Sequence, residues 1–291
     1  MTIALLRSRA ELDELCARTE RSSRAVVMTM GALHQGHAAL IRAARTDVGS
    51  AGTVIATVYV NPLQFNDQAD LDRYPRTLDA DVALAAAAGA DVVWAPNVED
   101  VFPNGPEQFT TDASQFETPF GSLADILEGA ARPGHFTGML TVVRALLTAT
   151  DPAHAFFGEK DYQQLALIRR MVSQLHWPVC VVAVPTVREA DGLALSSRNQ
   201  FLTADERTQA RALSTALRTA AAAADTAEHA EVSARDVLNA AHLAPDYVAV
   251  VGENFAEVPQ SGAARMLLAC KVGDVRLIDN APLVIGPKVQ R

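Results

Sequence analysis

The sequence predicts an α/β fold, a parallel sheet flanked by helices with a smaller C-terminal α+β domain, and three observations carry that prediction. Between residues 24 and 185, short β-branched runs alternate with stretches of helical spacing. Strands separated by helical crossovers return in the same direction and so form a parallel sheet. Glycine or proline closes several of those runs, as at Gly31, Pro96 and Pro185, where turns are expected. After residue 186 the helical stretches come first and the strand-like runs last, the segregation expected of an α+β unit. Domains are therefore placed at 1–185 and 186–291.

Each element has its own signal. The apolar run 24–30 ends at Gly31, and residues 38–45 set Leu40 and Ile41 on one helical face, so this segment reads as strand, tight loop, helix. Residues 53–60 read as a second strand, 78–88 as a helix and 91–95 as a third strand stopped by Pro96. A helix at 138–149, a strand at 153–157, a helix at 162–175 and a strand at 179–184 extend the same sheet. Thr203 opens a long alanine-rich helix with Asp205 and Glu206 in its first turn, beside the positive end of the helix dipole. The alanines at 220–224 reflect helix propensity. A helix at 232–241 and strands at 247–251, 265–272 and 275–279 complete the second domain.

Composition narrows the class. The chain has 291 residues, 49% hydrophobic and 20% charged, the usage of an ordinary globular protein. Its net charge is −9 and no basic block gathers along it, which argues against nucleic acid as a partner. Cys16, Cys180 and Cys270 are odd in number and far apart, so neither a disulfide framework nor a CxxC site is expected, and the three are read as buried small hydrophobes. No apolar run approaches the roughly 20 residues that span a bilayer. With no signal-peptide pattern at the start, the cytoplasm is the expected location.

Met28-Thr-Met-Gly-Ala-Leu-His34-Gln-Gly-His37 carries the most chemistry, because it sets two imidazoles one helical turn apart where a strand passes through glycine into a helix. Helix N-terminal N–H groups and the helix dipole attract phosphate, and Gly36 lets the backbone approach it. The imidazoles can donate to charge developing on a phosphate oxygen. Taken alone, the pair reads equally as ordinary helix-end residues. Gly31 and Gly36 match the glycine spacing of a P-loop, but His37-Ala38 stands where lysine and a hydroxyl residue belong, and no HExxH or nearby cysteine supports zinc.

Phe156-Phe-Gly-Glu-Lys160-Asp-Tyr-Gln-Gln164 repeats the strand, glycine, polar turn and helix pattern. Ligands of open α/β sheets bind outside the carboxyl ends of strands, so both segments are expected at one crevice. Leu195-Ser-Ser-Arg198-Asn offers hydroxyls and a guanidinium suited to polyphosphate. The amides of Asn61-Pro-Leu-Gln64 suit a carboxylate, hydroxyl or amine, and the polar run 66–74 has the character of a lid.

In order, MTMGALHQGH, VYVNPLQF, DLDRYPRT, RPGHFTGM, FFGEKDYQQL, PTVREADGLALSSRN and LIDN resemble the pantothenate synthetase family of the HxGH nucleotidylyltransferase superfamily, closely over 24–202 and loosely beyond. The resemblance implies a Rossmann-like first domain that binds ATP and pantoate, a second domain that closes over the nucleotide, and a homodimer. It implies that pantoate attacks ATP to give pantoyl adenylate and that β-alanine then displaces AMP. On matching positions, His34, His37, Lys160 and Arg198 would be catalytic and, with Ser196 and Ser197, contact the phosphates. Gly158 and Asp161 would hold the ribose, and Thr186 and Val187 the adenine. Gln64 and Gln164 would grip pantoate, with Met30 bordering ATP and packing on the gem-dimethyl group, Arg132, His135 and Tyr74 shaping the entrance, and Asn61 placing β-alanine. Magnesium would accompany ATP near Asp81, and residues 66–71 would form a gate.

Leu195, Asn66 and Ala80 depart from the commonest family residues, and none removes a group the reaction requires. A nucleotidylyltransferase acting on a phosphate-bearing acceptor is the competing enzyme reading. The Gln64, Gln164 and Met30 set favours a small branched hydroxy acid instead. A noncatalytic nucleotide-binding module is opposed by basic and imidazole groups in three separate motifs.

Overall fold

The computed structural model describes residues 3–65 and 68–287. The chain divides into two units, Met1–Gly158 with Gln163–Pro185, and Glu159–Tyr162 with Thr186–Arg291. The four residues around Lys160 thus group with the C-terminal part.

The first unit begins with β1 (Ala4–Leu6), α1 (Arg9–Arg18), β2 (Arg24–Thr29), α2 (Gln35–Val48) and β3 (Thr53–Val58). It continues through α3 (Gln68–Arg73), α4 (Leu78–Ala88), β4 (Val92–Trp94), α5 (Val98–Val101) and a two-stranded hairpin, β5 (Glu117–Thr118) and β6 (Gly121–Ser122). After α6 (Glu128–Ala131) come α7 (His135–Thr150), β7 (His154–Gly158), α8 (Tyr162–Gln174) and β8 (Cys180–Val184). The large sheet has the order β1-β4-β3-β2-β7-β8, with every pairing parallel.

Strand order runs outward from β2 to β3 and β4 on one side, and then resumes at β7 and β8 on the other. The switch point lies between β2 and β7, whose Val27 and Phe156 are in register. Both strands are inner strands with apolar centres, residues 25–28 and 155–157, as a parallel sheet covered on both faces requires. Ala38, Leu40, Ile41 and Ala44 of α2 pack against Ala25, Val27, Val54 and Ala56 of that sheet. A crevice at the carboxyl ends of β2 and β7 is where such a fold receives ligand.

Most elements lie within a few residues of their predicted bounds, and α4 coincides with them. The sequence reading passed over β1, the hairpin and the short helices α3, α5 and α6, because elements of two to six residues carry too little periodicity, and α1, whose one buried residue, Leu12, leaves no apolar stripe to read. Helix α7 starts at His135, three residues before its predicted start, directly after the left-handed Gly134.

The second unit holds α9 (Ala204–Ala222), α10 (Ala227–Ala240) and an antiparallel sheet of β9 (Pro245–Gly252), β10 (Gly262–Val272) and β11 (Val275–Ile285) in the order β11-β10-β9. Thr203 caps α9 in a reciprocal capping box with Glu206. Small residues such as Ala216 and Ala220 let α9 sit close to the sheet core of Met266, Leu268 and Cys270. Helix α10 starts well before its predicted residue 232, because Thr226 caps it by accepting the His229 N–H.

Strand β11 runs past its predicted end at Asp279. Asp279, Asn280 and Pro282 read as strand enders, yet β11 is an edge strand, where a proline is tolerated.

The cysteine reading is corrected in part. Cys270 is buried, Cys16 is half-buried and Cys180 is exposed at the start of edge strand β8. Burial raises the Cys16 thiol and pushes Cys270 up to about 11. A disulfide reagent at neutral pH should therefore find one fast thiol, absent in Cys180→Ser; three equally fast thiols would contradict the packing.

Candidate active site

After β2 the chain turns at Gly31, whose φ of +84° is a left-handed value, and enters α2. His34 is the N-cap. Its Nδ1 accepts the Gly36 N–H at 3.1 Å, while Nδ1 of His37 accepts the His34 N–H at 3.2 Å. A ring nitrogen that accepts a hydrogen bond carries no proton, so in each neutral imidazole the hydrogen sits on Nε2. The two rings lie together, their centroids 4.1 Å apart. Both side chains thus close the first turn of α2 through Nδ1 and carry their hydrogen on Nε2.

The loop before them is anchored by Asp81 on α4, a carboxylate only 2% exposed. Its Oδ2 accepts from the Ala32 N–H at 3.1 Å, and its Oδ1 from the Leu33 N–H at 2.7 Å and the Thr77 hydroxyl at 3.2 Å. A side chain at position 31 would place its Cβ 3.1 Å from Asp81 Oδ2, so glycine there serves the close approach as well as the turn. With hydrogen-bond donors at both oxygens, Asp81 holds the loop in place. Among the described residues, no group of three or more His, Cys, Asp or Glu can hold a metal ion.

A second cluster follows β3. Asn61, 1% exposed, accepts the Leu63 N–H at 3.2 Å and donates to Gln64 Oε1 at 3.0 Å and the Gly138 carbonyl at 3.1 Å. Gln64 Nε2 lies 2.8 Å from Met30 Sδ. A Cβ on Gly138 would stand 2.0 Å from the Leu63 carbonyl oxygen, so only glycine lets α7 approach this turn. The Gln64 carbonyl oxygen is 2.9 Å from His135 Nδ1 and 3.3 Å from Arg132 Nη2, and Arg132 Nη1 is 3.2 Å from His135 Nε2. Arginine only donates, so His135 accepts at Nε2 and donates from Nδ1, the opposite tautomer to His34 and His37.

Met30, Asn61, Gln64, Arg132 and His135 are therefore one hydrogen-bonded group. Gln164 stands half-buried in the first turn of α8, and Tyr74 sets its ring edge-on to Phe65. Gly158 ends β7 with open space where a side chain would project. Of the predicted gate, Asn66 and Asp67 lie outside the described residues, and residues 68–71 belong to α3.

In the second unit, Lys160 sits in the single helical turn Glu159–Asp161, with Nζ 3.6 Å from Asp161 Oδ1. Ser196 caps the turn Ser197–Phe201 by accepting the Arg198 N–H. Asn199 braces that turn by donating to the Ala194 carbonyl at 3.0 Å and to Glu189 Oε1 at 3.1 Å. The Arg207 guanidinium, hydrogen-bonded to Glu189, holds that carboxyl below the usual carboxylate range against the opposing effect of desolvation. The Val187 carbonyl accepts the Leu195 N–H at 2.9 Å. The buried Thr186 hydroxyl oxygen has no hydrogen-bond partner among the described residues.

A family profile described as pantoate-beta-alanine ligase matches residues 4–282. The chain belongs to the pantoate–β-alanine ligase family. It is 48% identical over 340 aligned positions to the pantothenate synthetase of Streptomyces avermitilis, with 98% of this chain and 99% of the relative covered. It is 51% identical over 267 positions to that of Nocardia farcinica, covering 91% and 80%. Among solved structures, pantothenate synthetase from Thermus thermophilus matches with a TM-score of 0.84 at 41% identity, over 96% of this chain and 99% of that one. The pantoate-beta-alanine ligase of Francisella tularensis, solved with β,γ-ATP and β-alanine, gives 0.77 at 32% identity, over 96% and 97%.

This ligase is therefore an ATP-dependent enzyme that joins pantoate to β-alanine. Reading its sequence for chemistry missed Asp81 as a loop anchor, Arg265 and Asn280, which hold the lysine segment, and the Arg188–Asp279 pair, which braces the segment after residue 186. One signal was available: Asp279-Asn280 interrupts a strand, VRLIDNAPLVI, that is apolar elsewhere but for Arg276, and polar residues placed where a core pattern calls for apolar ones are there for a reason.

Proposed function

We propose that the ligase works in two steps with the following division of labour. In the first, a pantoate carboxylate oxygen attacks the α-phosphorus of ATP. The new O–P bond forms as the bond to the β-phosphate oxygen breaks, releasing pyrophosphate. In the second, the β-alanine nitrogen attacks the acyl carbon; the C–N bond forms, the acyl–oxygen bond to AMP breaks, and the amine gives up a proton. The substrate carboxylate is the nucleophile, so the protein's work is alignment, charge stabilisation and exclusion of water.

His34 and His37 donate from Nε2 to ATP phosphate oxygens. Lys160, Ser196, Ser197 and Arg198 bind the phosphates and stabilise the departing pyrophosphate. Gly158 and Asp161 take the ribose, and Thr186 and Val187 the adenine. Gln64 and Gln164 grip pantoate beside Met30, while Arg132 and His135 act on that site by fixing the Gln64 backbone. Asn61 holds Gln64 and borders the β-alanine position. Magnesium, which offsets phosphate charge when bound, arrives on ATP with few protein ligands. The observation that carries this reading is the pair of fixed tautomers at the α2 N-terminus, since it aims two neutral donors where a helix already favours an anion.

Exchange of labelled pyrophosphate into ATP tests it: exchange should require pantoate and proceed without β-alanine, which drains the adenylate. Folded protein without pantoate-dependent exchange would overturn the adenylate step. Asp81→Asn should leave the magnesium dependence of that exchange unchanged and lower stability by about 1–3 kcal/mol, because one loop amide loses its acceptor. A shifted magnesium midpoint would make Asp81 a magnesium ligand. We further place the ligase in the cytoplasm as a homodimer, which sedimentation of the purified chain reads directly.

A further inference from the structure

Two neighbouring residues of β11 sit at the centre of a network that the two-step reading leaves unused. Asn280, 3% exposed, donates from Nδ2 to two successive carbonyl oxygens of the lysine turn, Glu159 at 2.9 Å and Lys160 at 2.8 Å. Its Oδ1 accepts from Arg265 Nη1 at 2.6 Å. Arg265 in turn reaches Glu159 Oε2 at 3.2 Å and lies 4.1 Å over the Tyr162 ring, whose hydroxyl accepts the Asn254 N–H at 2.9 Å. The turn is thus held at both carbonyls, at the Glu159 side chain and at Tyr162.

Asp279, equally buried, takes the Arg188 guanidinium in a bidentate grip at 2.6 and 2.9 Å and accepts the Asn280 N–H at 2.8 Å. Arg188 also donates to the carbonyl oxygens of Gly192 at 3.1 Å and Asn280 at 3.2 Å. Side chains at successive strand positions leave on opposite faces, so this one dipeptide grips two separate chain segments.

We infer that Asp279 and Asn280 are positioning residues that set Lys160 and the 186–198 segment in mutual register for adenylation. A three-residue turn cannot hold a lysine stem by itself, and reactions of this kind are sensitive to displacement on the order of 1 Å. An amide that binds two consecutive carbonyls fixes both the height and the rotation of the turn between them. The bidentate Arg188–Asp279 pair does the same for the adenine and phosphate segment, because a guanidinium fork matches a carboxylate in one plane only.

The inference rests on Lys160 acting at the ATP phosphates, and the experiment keeps the two apart. Asn280→Asp retains size and the acceptor for Arg265 but removes the donors. It should slow pantoate-dependent pyrophosphate exchange by about 10²-fold. Formation of pantothenate from supplied pantoyl adenylate and β-alanine should change by less than about threefold, because that step does not involve pyrophosphate departure. Asn280→Ser, which keeps one donor, should fall between, and it carries the same comparison if the aspartate variant fails to fold. Combined with Lys160→Ala, either variant should slow exchange no further, since residues acting as one unit are not additive.

Wild-type exchange in a folded Asn280 variant, with Lys160→Ala inactive, would overturn the positioning role. So would equal loss in both half-reactions with full additivity, the mark of general destabilisation. Unimpaired exchange in Lys160→Ala would instead overturn the reading of the lysine itself.

Discussion

Lys160→Ala slows pantoate-dependent pyrophosphate exchange by on the order of 10³-fold, the scale of losing one charged donor to a transition-state oxyanion in a water-poor site. Its fold is unaffected. The lysine side chain meets Asp161 at 3.6 Å, and the turn is held through the Glu159 and Lys160 carbonyls by Asn280, which the substitution leaves in place. Loss of one partly solvated ion pair changes stability by less than about 1 kcal/mol. Pyrophosphate exchange measured beside thermal unfolding checks both halves: an active Lys160→Ala removes the lysine from the mechanism, and an unfolded one removes the claim that its stem is structurally idle.

His37→Asn slows the same exchange by about 10²-fold, within the range for deleting one oriented hydrogen-bond donor. Asparagine retains a side-chain oxygen that can accept the His34 N–H, now taken by Nδ1 at 3.2 Å, so the capping of α2 is preserved. What it lacks is the Nε2–H of the native tautomer. His37→Ala loses both, and should match the asparagine variant in rate while showing the lower helix stability, by about 1 kcal/mol. If His37→Asn turns over at the native rate while His37→Ala does not, the histidine is a helix cap and no more. Circular dichroism at a fixed temperature separates the two effects.

The sheet was legible because inner parallel strands are apolar on both faces, so runs such as 24–29 and 53–58 announce themselves without their neighbours. The phosphate-binding candidates were legible because each lies where a strand meets glycine and a helix, a local pattern with a local cause. Asn61 illustrates what was not. Its type suggested a ligand contact, yet its amide is engaged by Leu63, Gln64 and Gly138, and nothing in the chain near position 61 reveals a carbonyl at position 138. Arg132 and His135 behave likewise: adjacent in sequence to a glycine turn, they converge on the Gln64 carbonyl oxygen, a partner about seventy residues away.

The Asp81 carboxylate makes the same point with a sharper consequence. An acidic residue in the first turn of a helix is read equally well as a metal ligand, a dipole partner or a loop anchor, since all three need only negative charge. Its burial and the Ala32 and Leu33 N–H groups on its oxygens show the loop anchor, which nothing near position 81 in the chain reveals.

The chain alone thus determined the α/β class, the order of its principal elements and which motifs carry imidazole, lysine and guanidinium groups, because periodicity, turn residues and side-chain chemistry are local properties. Only the tertiary structure decided which nitrogen of His34, His37 and His135 bears the proton, that Asp81 serves the loop, and that Asn280 holds the lysine segment from more than a hundred residues away. Those are properties of long-range hydrogen bonds, whose partners meet only once the chain has folded.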